Sequence, residues 1–397
     1  ENRKWEMAMN NKSLEVVVGN RHIPLSDVLA VCCKNSQRPF AQVVLESAAL
    51  SGADCSAAKL RGGAAAPKTS AAPSPGGGGE ERLLTPHEVR SAIFARIVHA
   101  MQGRSGLRKG VIEFLVALLN FDVAVAIPAD LSKAGTALLS VVSGDSLDAE
   151  TETRLKQLSL EPPGRKSPLT AAERAALLTG TDSIALIGLG VLYAAAAKQA
   201  ANLVDAVAAL SCAAVGVPPQ LLDETLYDSR PHRGLTTSAF NLKILLQGSR
   251  PSNALESAEL VKLPELHGLA VESLESFAKA MAVELNSAES APTAPTFGMA
   301  PTLLLLNSAV HPLKTLTEAS NRRAALLGGT AAAVGGVGVE GGEGDDGSPL
   351  RSLVAAIMSL ERSLSEEATV ALAKLKHLDE TAQAAAAAKA AAPAAPA

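Results

Sequence analysis

Residues able to do chemistry are thinly spread through these 397 residues. The histidines are scattered, and the two that share a predicted helix, His87 and His99, stand too far apart to hold one metal ion. Cys32, Cys33, Cys55 and Cys212 form no Cys-x-x-Cys pair and no Cys/His set of zinc spacing. They read as free thiols of a reducing compartment. Serine, histidine and aspartate all occur, but no Gly-x-Ser-x-Gly turn presents a nucleophile. Gly188-Leu189-Gly190 lacks the third glycine and the preceding strand that a dinucleotide loop needs. The acidic glycine run 341–347, with Glu343, Asp345 and Asp346, lacks calcium-loop spacing and reads as solvated. Tyr193 and Tyr227, the only tyrosines, read as packing residues with bonded hydroxyls. These features argue for no metal and no cofactor.

Four short polar sequences stand out instead: Leu178-Thr179-Gly180-Thr181-Asp182, Arg230-Pro231-His232, His267-Gly268 and Glu284-Leu285-Asn286-Ser287-Ala288. Helices must position most of them. Hydrophobic residues make up 47% of the chain but aromatics only 3%, so the apolar mass is Ala, Leu and Val. That favours helices in close contact over a β-sandwich.

The N-terminal portion, residues 1–61, opens with the alternating Leu14-Glu15-Val16-Val17-Val18, a strand, followed by a turn at Gly19-Asn20. Ser26-Asp27 then caps a helix from Val28 to Cys33. Residues 62–84 are rich in Ala, Pro and Gly and read as a linker or long loop. Residues 85–327 form a helical core. Thr85-Pro86-His87-Glu88 is a cap with proline at the first helical position and glutamate at the third. Val89, Ile93, Ile97 and Met101 then recur at helical spacing. Further helices are expected over Gly110–Leu119, Leu169–Val215, Leu255–Ala288 and Pro301–Leu327, the last punctuated by Pro312. Residues 328–348 are a second, acidic glycine-rich loop. The segment 349–397 starts a helix with a short seam of Leu350, Leu353, Ile357, Leu360 and Leu364, better suited to core packing than to a zipper. It ends in an Ala/Pro tail expected to fray after Gln383.

The net charge of −4 does not suggest a general grip on nucleic acid. No signal peptide is read, and the apolar run Ile184–Ala197 is too short to cross a bilayer. The chain opens at Glu1 rather than Met, which leaves room for an upstream organelle-targeting segment. A mitochondrial or cytoplasmic location is expected.

Taken in order, these sequences resemble the aromatic amino acid ammonia-lyases, the family of histidine and phenylalanine ammonia-lyases. Val16 to Val31 is similar to that family's opening strand, turn and helix. Val89 to Asn120, with Ser105-Gly106 and Leu118-Leu119-Asn120, resembles the two helices before its active-site loop. Leu178-Thr179-Gly180-Thr181-Asp182 resembles its Asn-Gly-Thr-Gln, and Arg230-Pro231-His232 sits where the family carries the same tripeptide. Glu284-Leu285-Asn286-Ser287-Ala288 is an intact family hallmark. His267-Gly268 upstream, and Phe297 to Arg323 downstream with Pro301 and Arg322-Arg323, fit without a gap. The resemblance implies a mainly α, ammonia-lyase-like bundle of long helices with a small N-terminal α/β portion.

The resemblance also implies a chemistry that this chain lacks the residues for. The family builds its electrophile, a methylidene-imidazolone, by cyclising and dehydrating an internal Ala-Ser-Gly. Counting from Asn120 and Pro128, that tripeptide becomes Gly135-Thr136-Ala137, and Ala-Ser-Gly occurs nowhere in the chain. Threonine would give a hindered alkene, and alanine replaces the glycine whose freedom ring closure needs. The family's tyrosine base would fall within 51–79, which has no tyrosine. A second tyrosine and a carboxylate-binding arginine correspond to Ala258 and Val261, so the bidentate clamp is lost. The family's C-terminal Gln/Glu-rich site segment gives way to the second glycine loop. Thr179, Asp182, Arg230, His232, His267 and Asn286 would remain as a vestigial pocket. The expected function is that of a catalytically inactive pseudoenzyme, a scaffold subunit of an oligomer or of a larger, organellar assembly, with protein partners and no membrane. Alternatives are a regulatory partner of an active lyase, a residual lyase, and an amino-acid-binding module.

Overall fold

The computed structural model describes residues 15–19, 21–33, 40–51, 82–145, 147–249, 260, 262–287, 299–328 and 348–391. Most of both glycine-rich segments, Cys55, Ala258 and Val261 lie outside these residues. The described chain is mainly α, as expected. Strand β1 (Glu15–Val18) is followed by helix α1 (Leu25–Cys32) and strand β2 (Gln42–Leu45). Then come α2 (Pro86–His99), a π-helical turn at Ala100–Arg104, α3 (Lys109–Asn120), α4 (Ala134–Ser143), α5 (Ala149–Gln157) and α6 (Ala171–Leu178). The long helices follow: α7 (Thr181–Val215), α8 (Arg233–Leu245), α9 (Leu263–Leu285), α10 (Met299–Leu326) and α11 (Pro349–Ala391).

The chain forms two compact units, Glu1–Ala195 with Ala278–Leu305, and Ala196–Phe277 with Leu306–Ala397. The order of the sequence does not display this division.

In the first unit β1 and β2 pair in parallel, with Val16 opposite Val43 and Val18 opposite Leu45. The side chain of Asn120 closes the edge of β2, accepting from the Val43 amide at 2.8 Å and donating to its carbonyl at 2.9 Å. An amide side chain thus stands in for a third strand.

Helix α2 starts as the sequence indicates. The Thr85 hydroxyl accepts from the Glu88 amide, and Glu88 returns a bond to the Thr85 amide, a capping box. Its apolar stripe, however, understates its burial. Every residue from Glu88 to His99 is buried, Arg90, Ser91, Arg96 and His99 included. A helix buried on all sides must bond its polar groups internally. Arg90 donates to the Val31 and Leu119 carbonyls, both at 2.9 Å, and lies 3.6 Å from the centroid of Phe40. Ser91 donates to the Gly188 carbonyl at 2.6 Å, and Arg96 to that of Ala176 at 2.7 Å.

Several sequence expectations need correction. Helix α1 begins at Leu25 behind Pro24, with no side-chain cap from Ser26 or Asp27. The single helix expected over Leu169–Val215 is broken between α6 and α7, where Gly180 takes φ +72°, a conformation open to a residue without a Cβ. Pro312 does not interrupt α10, and α11 stays helical beyond Gln383 to Ala391. Strand β2 and helices α4, α5 and α8 were not anticipated, because each is short or weakly periodic.

Gly188, set aside above as a nucleotide-loop glycine, is a helix contact. A Cβ there would stand 2.6 Å from the Ser91 carbonyl oxygen. Gly188→Val should lower the unfolding free energy by about 3 kcal/mol, seen as a lower urea midpoint at unchanged slope. A wild-type midpoint would mean that α2 and α7 part there at no cost.

Candidate functional site

In the first unit, Gly135, Thr136 and Ala137 lie in the first turn of α4. Gly135 is buried against the end of α6, where an added Cβ would come 3.1 Å from the Leu178 carbonyl oxygen and 3.2 Å from that of Leu177. Thr136 is exposed, and its hydroxyl donates to the Lys133 carbonyl at 2.7 Å. The Thr179 amide ends α6 by donating to the Ala175 carbonyl at 2.7 Å, and the Thr181 hydroxyl donates to Leu177 at 2.6 Å. Asp182 follows in the first turn of α7, where the helix dipole favours a carboxylate. The structure therefore sets the 135–137 turn against the end of α6, at Leu177 and Leu178, immediately before the 179–182 turn.

At the other end of α4 is a step that the sequence analysis passed over, Ser143-Gly144-Asp145. Its only signal is the residue types themselves. Gly144 caps the helix at φ +76°. Its amide donates to Ser140 at 2.9 Å, and Arg165 donates to its carbonyl from Nε at 3.1 Å and Nη2 at 2.8 Å.

Asn286, expected above to line a pocket, ties two segments of the first unit together. Its Oδ1 accepts from the Ile23 amide at 2.7 Å, and its Nδ2 donates to Ile23 at 3.0 Å and to Ala282 at 2.7 Å. Both amide protons are thereby used. Tyr193 donates to Glu88 at 2.7 Å. Burial, then Glu88, push its pKa up, the wrong direction for a base.

In the second unit, Arg230 and His232 lie against α9. Arg230 is 3.4 Å from Glu265, and His232 is 3.8 Å from Glu272. Both pairs are about half exposed and add little stability. The close contact is backbone to backbone, since a Cβ on Gly268 would stand 2.4 Å from the Gly234 carbonyl carbon.

His267 is completely buried and bonded on both ring nitrogens. Nδ1 is 3.0 Å from Asp205 Oδ1, and Nε2 is 3.1 Å from Arg323 Nη1. Arg323 in turn clasps Glu367 with Nε at 2.7 Å and Nη2 at 3.0 Å. Ser211 and Ser320 also donate to Glu367, at 2.5 and 2.7 Å. Ser238 and Asn241 donate to Asp205 at 2.7 and 3.0 Å. Burial works to raise the Asp205 pKa, but the bonds from His267, Ser238 and Asn241 outweigh it and hold the carboxyl below its usual range. His267 therefore has both ring nitrogens engaged within the second unit. Asp205 and Glu367, the other anchors of this network, were missed; a charged residue in an apolar helical stretch was the signal available.

A family model described as aromatic amino acid lyase matches residues 70–311. Tyrosine ammonia-lyase of Cereibacter sphaeroides is 27% identical over 243 residues, 54% of this chain and 46% of that protein. Histidine ammonia-lyase of Symbiobacterium thermophilum is 28% identical over 225 residues, 51% of this chain and 43% of that protein. The chain thus matches less than half the length of either relative. Among solved structures, histidine ammonia-lyase from Trypanosoma cruzi superposes with a TM-score of 0.73 at 18% identity, covering 91% of this chain and 85% of that one. Phenylalanine ammonia-lyase from Rhodosporidium toruloides gives 0.68 at 15%, covering 93% and 70%. At those identities the structures establish the shared fold.

Arg323→Met would strand Glu367 as a buried charge and should cost about 3–5 kcal/mol. Arg323→Met with Glu367→Leu should recover most of that loss in chemical denaturation. Two variants of equal instability would contradict the assignment.

Proposed function

Because the chain belongs to the aromatic amino acid lyase family, we propose that it keeps the family's helical architecture but does not make the family's electrophile. It acts as a non-catalytic, structural subunit in an oligomer or a larger protein assembly.

One observation carries this reading: the segment that would have to cyclise is the first turn of a helix. Ring closure requires the amide nitrogen of the third residue to attack the carbonyl of the first. In an α-helix beginning at Ala134, the nitrogen of Ala137 points instead at the Lys133 carbonyl, four residues back. The Thr136 hydroxyl, which would have to leave, is already bonded to that same carbonyl. Gly135 is wedged against the Leu177 and Leu178 carbonyls. The residues present do not fit the electrophile. Val261, at the position of the carboxylate-binding arginine, points the same way from sequence alone.

A residual lyase is the second reading. The relatives named above are ammonia-lyases, and Val142-Ser143-Gly144 offers a serine-glycine step. Against it, Gly144 sits in a left-handed cap whose amide is bonded within the helix.

Intact mass spectrometry of the purified protein separates the two. The expected mass is that of the encoded chain, with no ammonia released from histidine, tyrosine or phenylalanine. A mass short by two waters, mapped to 135–137 or 142–144, together with ammonia release, would overturn the proposal. The scaffold role has its own check, native mass in extract from the source. Migration in a larger particle with other proteins is expected, whereas a lone monomer would refute it.

A further inference from the structure

We infer that the second unit carries an acid-sensitive latch, in which one proton taken up by His267 releases the five helices that its bonding network ties together. The network draws Asp205 and Ser211 from α7, Ser238 and Asn241 from α8, His267 from α9, Ser320 and Arg323 from α10, and Glu367 from α11.

The geometry fixes the state of the ring. A carboxylate only accepts and a guanidinium only donates. With Asp205 at Nδ1 and Arg323 at Nε2, His267 must be neutral, with its proton on Nδ1 and a lone pair on Nε2. Asp205 and Glu367 both attract a charged ring, yet neither can receive a proton from Nε2. The oxygens of Asp205 accept from His267, Ser238 and Asn241. Those of Glu367 accept from Ser211, Ser320 and Arg323. Cys212, the other titratable group near this network, is kept neutral by burial, its thiol pushed up to about 12.

A second proton would therefore set Nε2–H against Arg323 Nη1, donor against donor, at a fully buried site. The contact can only open. Arg323 is also the clasp on Glu367, and Glu367 holds α7 through Ser211 and α10 through Ser320. Loss of this one contact therefore parts the Asp205 half of the network, on α7, α8 and α9, from the Glu367 half, on α7, α10 and α11.

The sign of the pH effect follows. Burial first, and then Arg323 against the bond to Asp205, hold the His267 pKa below its ordinary value. The unfolded chain takes up this proton near pH 6.5, before the folded chain does. Stability is full above that pH and falls as pH is lowered through it. Asp205, also depressed, adds its own loss only at lower pH, in the carboxylate range.

The test compares the full chain with His267→Gln, whose amide can donate to Asp205 and accept from Arg323 without titrating. As pH falls below about 6.5, the unfolding equilibrium constant of the wild type should rise relative to the variant, with a limiting slope of roughly tenfold per pH unit. Amide exchange should quicken together in α7, α8, α9, α10 and α11. Parallel pH profiles, or a wild type that gains stability on acidification, would overturn the inference. Should the variant fail to fold, ring-nitrogen resonances of wild-type His267 decide. A neutral ring protonated on Nδ1 at pH 6 is expected, and an imidazolium there would refute the latch.

Discussion

Helices that meet at backbone distance leave no room for water, and this constraint governs how both units are built. With so few aromatics, the chain cannot fill its interior with large rings. It brings helices together through small residues instead, as at Gly188 against Ser91 and Gly234 against Gly268. Close packing of this kind gains dispersion contacts along the whole length of a helix. It also means that any polar side chain at such a contact must find its partner within the protein. Ser91 does so on the carbonyl of the glycine it faces. Arg96, far inside, reaches the Ala176 carbonyl of a neighbouring helix.

The buried charges are the extreme case. Arg323 and Glu367 are 3% and 0% exposed in their side chains, so neither could be kept there alone. Two serines complete the carboxylate, and His267 joins the guanidinium to a second carboxylate. Replacing such a group with apolar residues is often neutral for stability, so its value lies in register. Each bond requires one helix to sit at one height against another, which nonspecific Ala and Leu contacts cannot dictate.

Much of this was legible in the sequence, and the rest was not for identifiable reasons. The capping box at Thr85 was readable because its signals are local, two residues three apart that bond each other. The long helices were readable from their Ala and Leu content. Their breaks were less so: Gly180 ends a run of residues that individually favour helix, and only its left-handed backbone shows that the chain turns. The burial of α2 on every side was hidden because Arg90, Arg96 and His99 look like a solvent face until their partners are known. Those partners are 80 residues away in the case of Arg96. The same distance effect hid the partners of Asn286 and His267. As letters they suggest a polar pocket; in space their polar atoms are spent on Ile23, 263 residues away, and on the network of the second unit. By contrast, the contact of Gly135 with Leu178 joins two segments whose residues already stand out in the sequence.

These bonding patterns bear on which residues a lyase-like fold must keep to hold its shape. The family-like residues include ones that hold segments together: Asn286 by its side-chain amide on the Ile23 backbone, Gly268 backbone to backbone on Gly234, and Arg323 side chain to side chain on Glu367. Changing any of them would cost stability, whatever the protein does. Thr136 and Ala137, by contrast, answer to local helix geometry. Both are tolerated, even favoured, in the first turn of a helix, where a threonine hydroxyl can bond the preceding turn. Strained backbone is kept at functional sites because the surroundings over-determine it. Under the non-catalytic reading proposed above, regular helix is the low-energy state of this segment, and the close-packed helices around it have no reason to change.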